Sequence, residues 1–160
     1  MSKKIFGLVL WLCVSFIASA VGAVASVDAG SFYSGLTQPS WAPPAAVFGP
    51  VWTVLYILMA LAAWLVWLRG GFAANRQALT LFLVQLAINA VWSWLFFAWR
   101  LGLVALLDVS VLWLLVLATL VAFWRILPLA GLLLVPYLLW ISFAWVLNFS
   151  LWQLNPAALA

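Results

Sequence analysis

The sequence predicts an all-α integral membrane protein, a bundle of five transmembrane helices. Of its 160 residues, 71% are hydrophobic and 5% are charged, so the chain lacks the polar side chains that cover a soluble domain. Apolar stretches of about 20 residues, the length that crosses a hydrocarbon core, recur between short polar breaks. The whole chain, residues 1–160, is interpreted as a single domain.

The breaks between the predicted helices contain residues that are costly to bury in lipid. They carry charge, glycine or proline: Asp28, Gly30, Arg69, Gly70, Gly71, Arg76, Arg100, Arg125 and Pro128. The helices between them are predicted at about residues 5–26, 46–68, 77–98, 102–124 and 128–150.

The first predicted helix has a second interpretation. Its basic start, its apolar run and the small residues at 18–20 are also typical of a secretory signal peptide. However, the apolar run continues to about residue 27, beyond the usual apolar region of such a peptide. Ser15, Ser19 and Ala23 recur at four-residue spacing, which permits close helix packing. This helix is therefore interpreted as retained and buried.

Basic residues predict the orientation in the membrane. Only Arg100 falls on the far side of the five-helix arrangement, whereas five basic residues share the side of the N-terminus: Lys3, Lys4, Arg69, Arg76 and Arg125. By the positive-inside rule, the N-terminus lies in the cytoplasm, and a bacterial cytoplasmic membrane is favoured. Because these residues are spread singly, they form no patch for nucleic acid.

Tryptophan is unusually frequent, with 13 residues. Five lie near predicted helix ends, where indole rings settle at the headgroup level: Trp64, Trp67, Trp99, Trp124 and Trp152. Five lie well inside helices, where an indole needs a hydrogen-bond partner or a cavity: Trp92, Trp94, Trp113, Trp140 and Trp145. The second group supplies the candidates for a binding site.

Polar and aromatic side chains from several predicted helices fall at one depth, in the outer half of the bundle. Gln85, Asn89 and Trp92 are spaced i, i+4, i+7 on one face of the third helix. Trp52 and Tyr56 are one turn apart in the second, and one face of the fifth carries Pro136, Trp140, Ala144, Leu147 and Asn148. This convergence predicts a pocket for a flat, mostly apolar ligand. Interhelical amide contacts with aromatic core packing are the alternative.

A proline-rich connector, residues 37–44, precedes the second helix. Pro39, Pro43 and Pro44 fix backbone angles and favour extended conformations in the residues before them, so Trp41 is predicted to be held rigidly above the pocket as part of a lid.

Asp108 is the one acidic residue inside a predicted span, and an acid in that position is by default a candidate functional residue. Because the fourth helix offers it no ionisable partner, a structural or water-exposed role is favoured.

Taken in order, five strings resemble the tryptophan-rich sensory protein or translocator protein (TspO/MBR) family over about residues 20–153. They are Trp41-Ala-Pro-Pro44, Pro50-Val-Trp52 with Tyr56, Gln85-Leu-Ala-Ile-Asn89-Ala-Val-Trp92, Pro136-Tyr137-Leu-Leu-Trp140 and Leu147-Asn148. The resemblance implies a five-helix membrane protein, commonly a homodimer, with a pocket under the first loop. Carried onto this chain, the family's binding positions fall on Trp41, Trp52, Tyr56, Asn89, Trp92, Trp140, Ala144, Leu147 and Asn148.

The resemblance also implies the ligand. Members of the family bind porphyrins and, in animals, sterols and isoquinoline or benzodiazepine drugs. We therefore expect a porphyrin, protoporphyrin IX or haem, as ligand, with no required cofactor. The sterol motif proposed near the family's C-terminus needs a basic residue, but none follows Arg125, so sterol binding of that kind is not expected.

Three functional classes remain: a sensory or binding protein, which is favoured, a transporter of porphyrin or of lipid and sterol, and a light-dependent porphyrin-degrading enzyme. The five predicted helices show no inverted repeat, which argues against alternating access. The chain has no histidine, so common acid/base and haem-ligand chemistry lacks its usual residue, although radical chemistry at Trp52 or Trp140 stays open. Some relatives are placed in an outer membrane, which is the alternative location.

Overall fold

Five long helices make up most of the computed structural model, which describes residues 3–160. With two short helices between them, the elements are α1 (Lys3–Ala25), α2 (Ala29–Gly35), α3 (Phe48–Trp67), α4 (Gly71–Ala74), α5 (Arg76–Ser93), α6 (Gly102–Ile126) and α7 (Pro128–Leu154). A 3-10 turn at Ala45–Val47 leads into α3, and a π-helical turn at Trp94–Ala98 continues α5. The predicted all-α class with five membrane-spanning helices is confirmed.

The bounds of the long helices agree with the sequence prediction to within a few residues. When the π-helical turn is counted with α5, the largest difference is at α7, which continues to Leu154 instead of ending near residue 150. The structure also forms α2 and α4 where the sequence predicts only connectors. These helices have seven and four residues, too few to show a hydrophobic period.

The long helices alternate in direction, and contacts far apart in the chain fix their ends. The Trp64 indole Nε1 donates a hydrogen bond to the Lys4 carbonyl at 3.0 Å, which places the start of α1 beside the end of α3. At the other end, the Asn155 side chain accepts a hydrogen bond from the Thr37 N–H at 2.8 Å and donates one to the Thr37 carbonyl at 2.9 Å. We call the end with Lys4 and Trp64 the α4 end of the bundle, and the end with Thr37 and Asn155 the α2 end.

The five long helices pack in a closed ring in the order α1, α3, α7, α6, α5 and back to α1. Near the α4 end the ring is tightly filled. Small residues let α3 approach its neighbours there, since Ala60, Ala62 and Ala63 are fully buried. A Cβ at Gly7 would collide with the Trp67 ring, so this close contact between α1 and α3 requires glycine. The open space lies at the α2 end.

Only part of the predicted headgroup belt of tryptophans lies at the bundle surface. Trp99 and Trp124 are 57% and 47% exposed, as the prediction requires. Trp67 instead packs on Gly7, and Trp152 lies beside Gly102, where a Cβ would come within 2.7 Å of the indole. Position near a helix end therefore predicts too many headgroup tryptophans. A glycine on a neighbouring helix makes room for an indole inside the bundle, as at Trp67 and Trp152.

Orientation in the membrane is a testable prediction. Cysteine introduced at Ser34, in α2, is expected to react with a membrane-impermeant thiol reagent in intact spheroplasts, and cysteine at Ala74, in α4, is not. The reason is that five of the six basic residues lie at the α4 end, which the positive-inside rule places in the cytoplasm. Both variants carry Cys13→Ser, and disrupted membranes, in which both sites should react, are the control. The reverse labelling pattern would overturn the orientation.

Candidate ligand-binding site

A cavity of about 420 Å³ opens at the α2 end of the bundle. Its size lies within the range typical of small-molecule sites. Its walls come from α1, α2, α3, α5 with the π-helical turn, and α7. The lining residues are Ser19, Gly22, Ala23, Ser26, Ala29, Gly30, Tyr33, Ala45, Phe48, Gly49, Trp52, Thr53, Tyr56, Asn89, Trp92, Ser93, Phe96, Phe97, Trp140, Ala144, Leu147, Asn148 and Leu151.

Most of the residues that the sequence predicts for the site meet in this cavity. The eight that line it are Trp52, Tyr56, Asn89, Trp92, Trp140, Ala144, Leu147 and Asn148. Gly22 of α1 and Ser26, the residue after α1, which the alternating topology brings to the same depth, line it as well. Trp41, Pro43 and Pro44 do not. The structure thus brings the predicted helical positions together, while their role in binding a ligand stays a prediction.

Aromatic rings form the walls of the cavity. Trp92 stacks on Phe96 with ring centroids 5.3 Å apart and planes at 12°. Across the cavity, Trp140 meets Phe48 edge-on at 5.9 Å, and Trp52 lies 5.7 Å from Tyr56. Rings packed in this way present broad, rigid apolar faces, which suit a flat ligand.

A directed chain of hydrogen bonds forms the floor. The Tyr56 hydroxyl donates to Asn89 Oδ1 at 2.6 Å, Asn89 Nδ2 donates to the Tyr137 hydroxyl at 3.0 Å, and that hydroxyl donates to Gln85 Oε1 at 2.9 Å. Gln85 Nε2 ends the chain 3.9 Å from Met59 Sδ. The chain joins α3, α5 and α7. All five side chains are buried, so each pairing offsets a desolvation penalty.

A second polar link crosses the cavity near its rim. The Trp92 indole N–H donates to Asn148 Oδ1 at 3.2 Å, and Asn148 Nδ2 donates to the Gly102 carbonyl at 3.1 Å. Asn148 therefore connects the end of α7 to α5 and to the first turn of α6. This contact holds the Trp92 ring in the orientation that stacks on Phe96.

The cap of the cavity is α2, with the start of α3. Tyr33 of α2 is 4% exposed, and its hydroxyl donates to the Pro43 carbonyl at 2.9 Å. Burial raises the pKa of the Tyr33 phenol above its ordinary value of 10.0, so it stays protonated and remains a donor at neutral pH. The Gln38 amide also donates to the Tyr33 carbonyl at 2.6 Å. The proline connector is thus fastened to the cap.

Trp41 lies outside the cavity, which differs from the predicted lid. It is 47% exposed, and its ring meets Phe143 edge-on at 5.9 Å. Phe143 in turn lies 5.2 Å from Trp140, which lines the cavity. Trp41 is therefore separated from the cavity by one layer of aromatic rings. Tyr33 and Phe48 occupy the place near the cavity that the sequence predicts for Trp41.

Among the site residues that sequence reasoning missed, Tyr33, Phe48 and Tyr137 contribute most to the cap, the walls and the floor. A signal for Tyr137 exists, since it is spaced i, i+7, i+11 with Ala144 and Asn148. Of the predicted face of the fifth helix, only Pro136, the residue before Tyr137, does not line the cavity. Tyr33 and Phe48 give no such signal, because their position depends on how α2 folds back over the bundle.

Three of the candidate tryptophans, Trp94, Trp113 and Trp145, lie elsewhere, and so does Asp108. Trp113 donates to Ser142 Oγ and Trp145 donates to Ser110 Oγ, both at 2.8 Å. These bonds tie α6 to α7 outside the cavity. Asp108 does not line the cavity, and its buried Oδ2 has no hydrogen-bond partner among the described residues.

The chemistry that the cavity offers is binding by shape, stacking and a few polar contacts. Its lining carries no charged side chain. Within residues 3–160, no group of three or more metal-ligating His, Cys, Asp or Glu side chains comes together. The hydroxyls and amides of the floor largely satisfy one another, so they orient a ligand more readily than they activate one.

Comparison with known proteins identifies the family. A sequence profile of the TspO/MBR family matches residues 9–153. The chain is 43% identical to the tryptophan-rich protein TspO of Chlorobaculum tepidum over 98% of this chain and 100% of that relative. It is 42% identical to the tryptophan-rich sensory protein of Cereibacter sphaeroides over 90% of this chain and 91% of that relative. It is also 42% identical to the human translocator protein over 78% of this chain and 75% of that relative. The chain belongs to the TspO/MBR family of multi-pass integral membrane proteins.

Proposed function

We propose that this protein is a membrane-embedded binding or sensory protein for porphyrin-type tetrapyrroles and similar flat hydrophobic ligands. One observation carries the proposal: an uncharged cavity walled by Trp52, Trp92 and Trp140 lies over a single polar floor. Stacking on such walls favours a broad aromatic ligand, and the floor fixes its orientation. The names of the relatives support a sensory or translocator role without naming a ligand.

The floor gives the ligand a preferred polarity. The hydroxyl protons of the floor are used within the chain, because the Tyr56 hydroxyl donates to Asn89 and the Tyr137 hydroxyl donates to Gln85. The Tyr56 oxygen can therefore accept a hydrogen bond from above. A ligand that carries a hydrogen-bond donor on the edge facing the floor can supply the partner.

Binding is favoured over transport and over catalysis. Among the described residues, the five long helices show no pair of matched breaks of the kind that alternating access uses. A light-dependent degradation would rely on Trp52 and Trp140, which both face the cavity, but no arrangement around them beyond ordinary stacking favours it. No resident cofactor is part of the proposal.

The proposed setting is a homodimer in a bacterial cytoplasmic membrane with the N-terminus inside. Between α1 and α5 lies an apolar groove whose lining includes Ala18, Ala87 and Ala90. Small residues at such a surface let a helix of a second copy approach closely. This groove lies on the lipid-facing side of α1 and α5, so pairing there would leave the cap free.

The first prediction from this proposal concerns the walls. Trp52→Ala and Trp140→Ala are each expected to weaken protoporphyrin IX binding by about 1–3 kcal/mol, because each removes a stacking surface. Titration of the porphyrin Soret absorbance with purified protein measures the affinity. Trp124→Ala, an exposed tryptophan in α6, is the matched control and should bind as the wild type does. Unchanged titration curves for both wall variants would remove these residues from the site.

The second prediction concerns the connector. Changing Pro43 and Pro44 together to Ala is expected to speed porphyrin dissociation more than it slows association, since a loosened connector anchors the cap less firmly while the Pro43 carbonyl bond to Tyr33 can still form. Stopped-flow displacement measures both rates, and circular dichroism checks that the bundle is intact. Pro128→Ala, at the α4 end, is the control. If the double variant keeps the wild-type association and dissociation rates, these prolines do not contribute to ligand retention and serve only to start α3.

A further inference from the structure

Arg100 lies outside the lining of the cavity, beside the cap helix α2. Its guanidinium carbon lies 4.8 Å from the centroid of the Phe32 ring in α2. Phe32 packs edge-on against Phe96 at 6.3 Å, and Phe96 and Phe97 line the cavity. The cation is thus one aromatic ring away from the cavity wall, on the side where α2 meets the end of α5.

The backbone holds Arg100 in an unusual conformation. Among the described residues other than glycine it alone has a positive φ, 57°. A left-handed conformation is strained for an arginine, because its Cβ crowds the following carbonyl oxygen. Arg100 follows the π-helical turn at Trp94–Ala98. The Leu101 N–H donates a hydrogen bond to the Leu95 carbonyl at 2.8 Å, which closes this segment. Such turns and strained residues are often found at functional sites.

The Arg100 guanidinium is also unpaired. It is exposed, and within residues 3–160 its side chain interacts only with the Phe32 ring. The two acidic residues of the chain, Asp28 and Asp108, form no ion pair with it. Five N–H donors in a planar fork are therefore free for an anion, and a carboxylate matches their geometry.

The distribution of charge makes this position distinctive. The other five basic residues lie at the α4 end, and the cavity lining has no charged side chain. An anionic group on a ligand in this cavity therefore finds one nearby cation, beside the cap helix α2. The apolar body of the same ligand finds its contacts on the aromatic walls below.

We infer that Arg100 binds a carboxylate of the cavity ligand and so orients that ligand with its acidic group at the α2 end. The inference rests on the proposed function, and it narrows the ligand class to planar hydrophobic molecules that carry a carboxylate. Lipid phosphate is the other source of an anion at this depth. Protein in a maltoside detergent, which has no phosphate, separates the two.

The experiment compares protoporphyrin IX, which has two carboxylates, with its dimethyl ester, which has none. Arg100→Gln is expected to weaken binding of the acid by roughly threefold to tenfold, the range of a partly exposed charge-assisted contact, and to leave the ester unchanged. Arg100→Lys should restore part of the affinity. Arg76→Gln, at the α4 end, should alter neither titration. Unchanged ester binding also shows that the variant retains a folded cavity.

Each other result overturns a defined claim. An equal effect of Arg100→Gln on acid and ester, or no effect on either, rejects the carboxylate anchor while the proposed function stands. No effect in detergent, together with reduced retention of phosphatidylglycerol by the variant in lipid nanodiscs, assigns Arg100 to lipid and also rejects the anchor. If the wild type binds neither porphyrin, the proposed function fails, and the anchor fails with it.

Discussion

The hydrogen-bonded chain from Tyr56 through Asn89 and Tyr137 to Gln85 is the interaction on which the rest of the structure depends. It lies in the middle of the long helices, at the depth of the bilayer core, where no water is present to form a hydrogen bond with an unpaired amide or hydroxyl. Each group in the chain is a donor to the next, so the three helices that carry them must keep one register. Below the chain the bundle is packed tightly, and above it the cavity opens.

Residue size explains why the space is on one side of that chain only. Toward the α4 end, Ala60 and Ala63 draw α3 inward, and Phe82 and Phe123 stack at 5.8 Å to fill the interior. Toward the α2 end, small residues such as Gly22, Gly49 and Ala144 line the cavity instead of filling it, and large rings stand at its sides. The same bundle thus combines a solid half with a hollow half.

Hydropathy and helical period predict the spans and most of the helical positions in the site. The spans and these positions depend on the spacing of residues along single helices, which the sequence shows directly. The placement of Asn89, Trp92 and Asn148 follows from their faces and depth, and the structure places them in one cavity. The short cap helix and the π-helical turn before Arg100 leave no periodic signal. The position of Trp41 depends on Phe143, about a hundred residues later in the chain, and on the tether from Asn155 to Thr37. Contacts of that range are not encoded in local spacing.

A double-mutant cycle on the buried chain tests most directly whether it acts as a unit. Tyr137→Phe removes the hydroxyl that links Asn89 and Gln85, and Gln85→Met removes the acceptor beyond it. Leaving buried partners unpaired should cost about 1–3 kcal/mol of unfolding free energy for the first change alone, measured by denaturant unfolding in detergent, with a matching loss of ligand affinity. Trp113→Phe, which breaks an interhelical bond outside the cavity, should leave that affinity unchanged. The account predicts that the double variant loses less than the sum of the two single losses. Strictly additive losses with unchanged ligand affinity would contradict it.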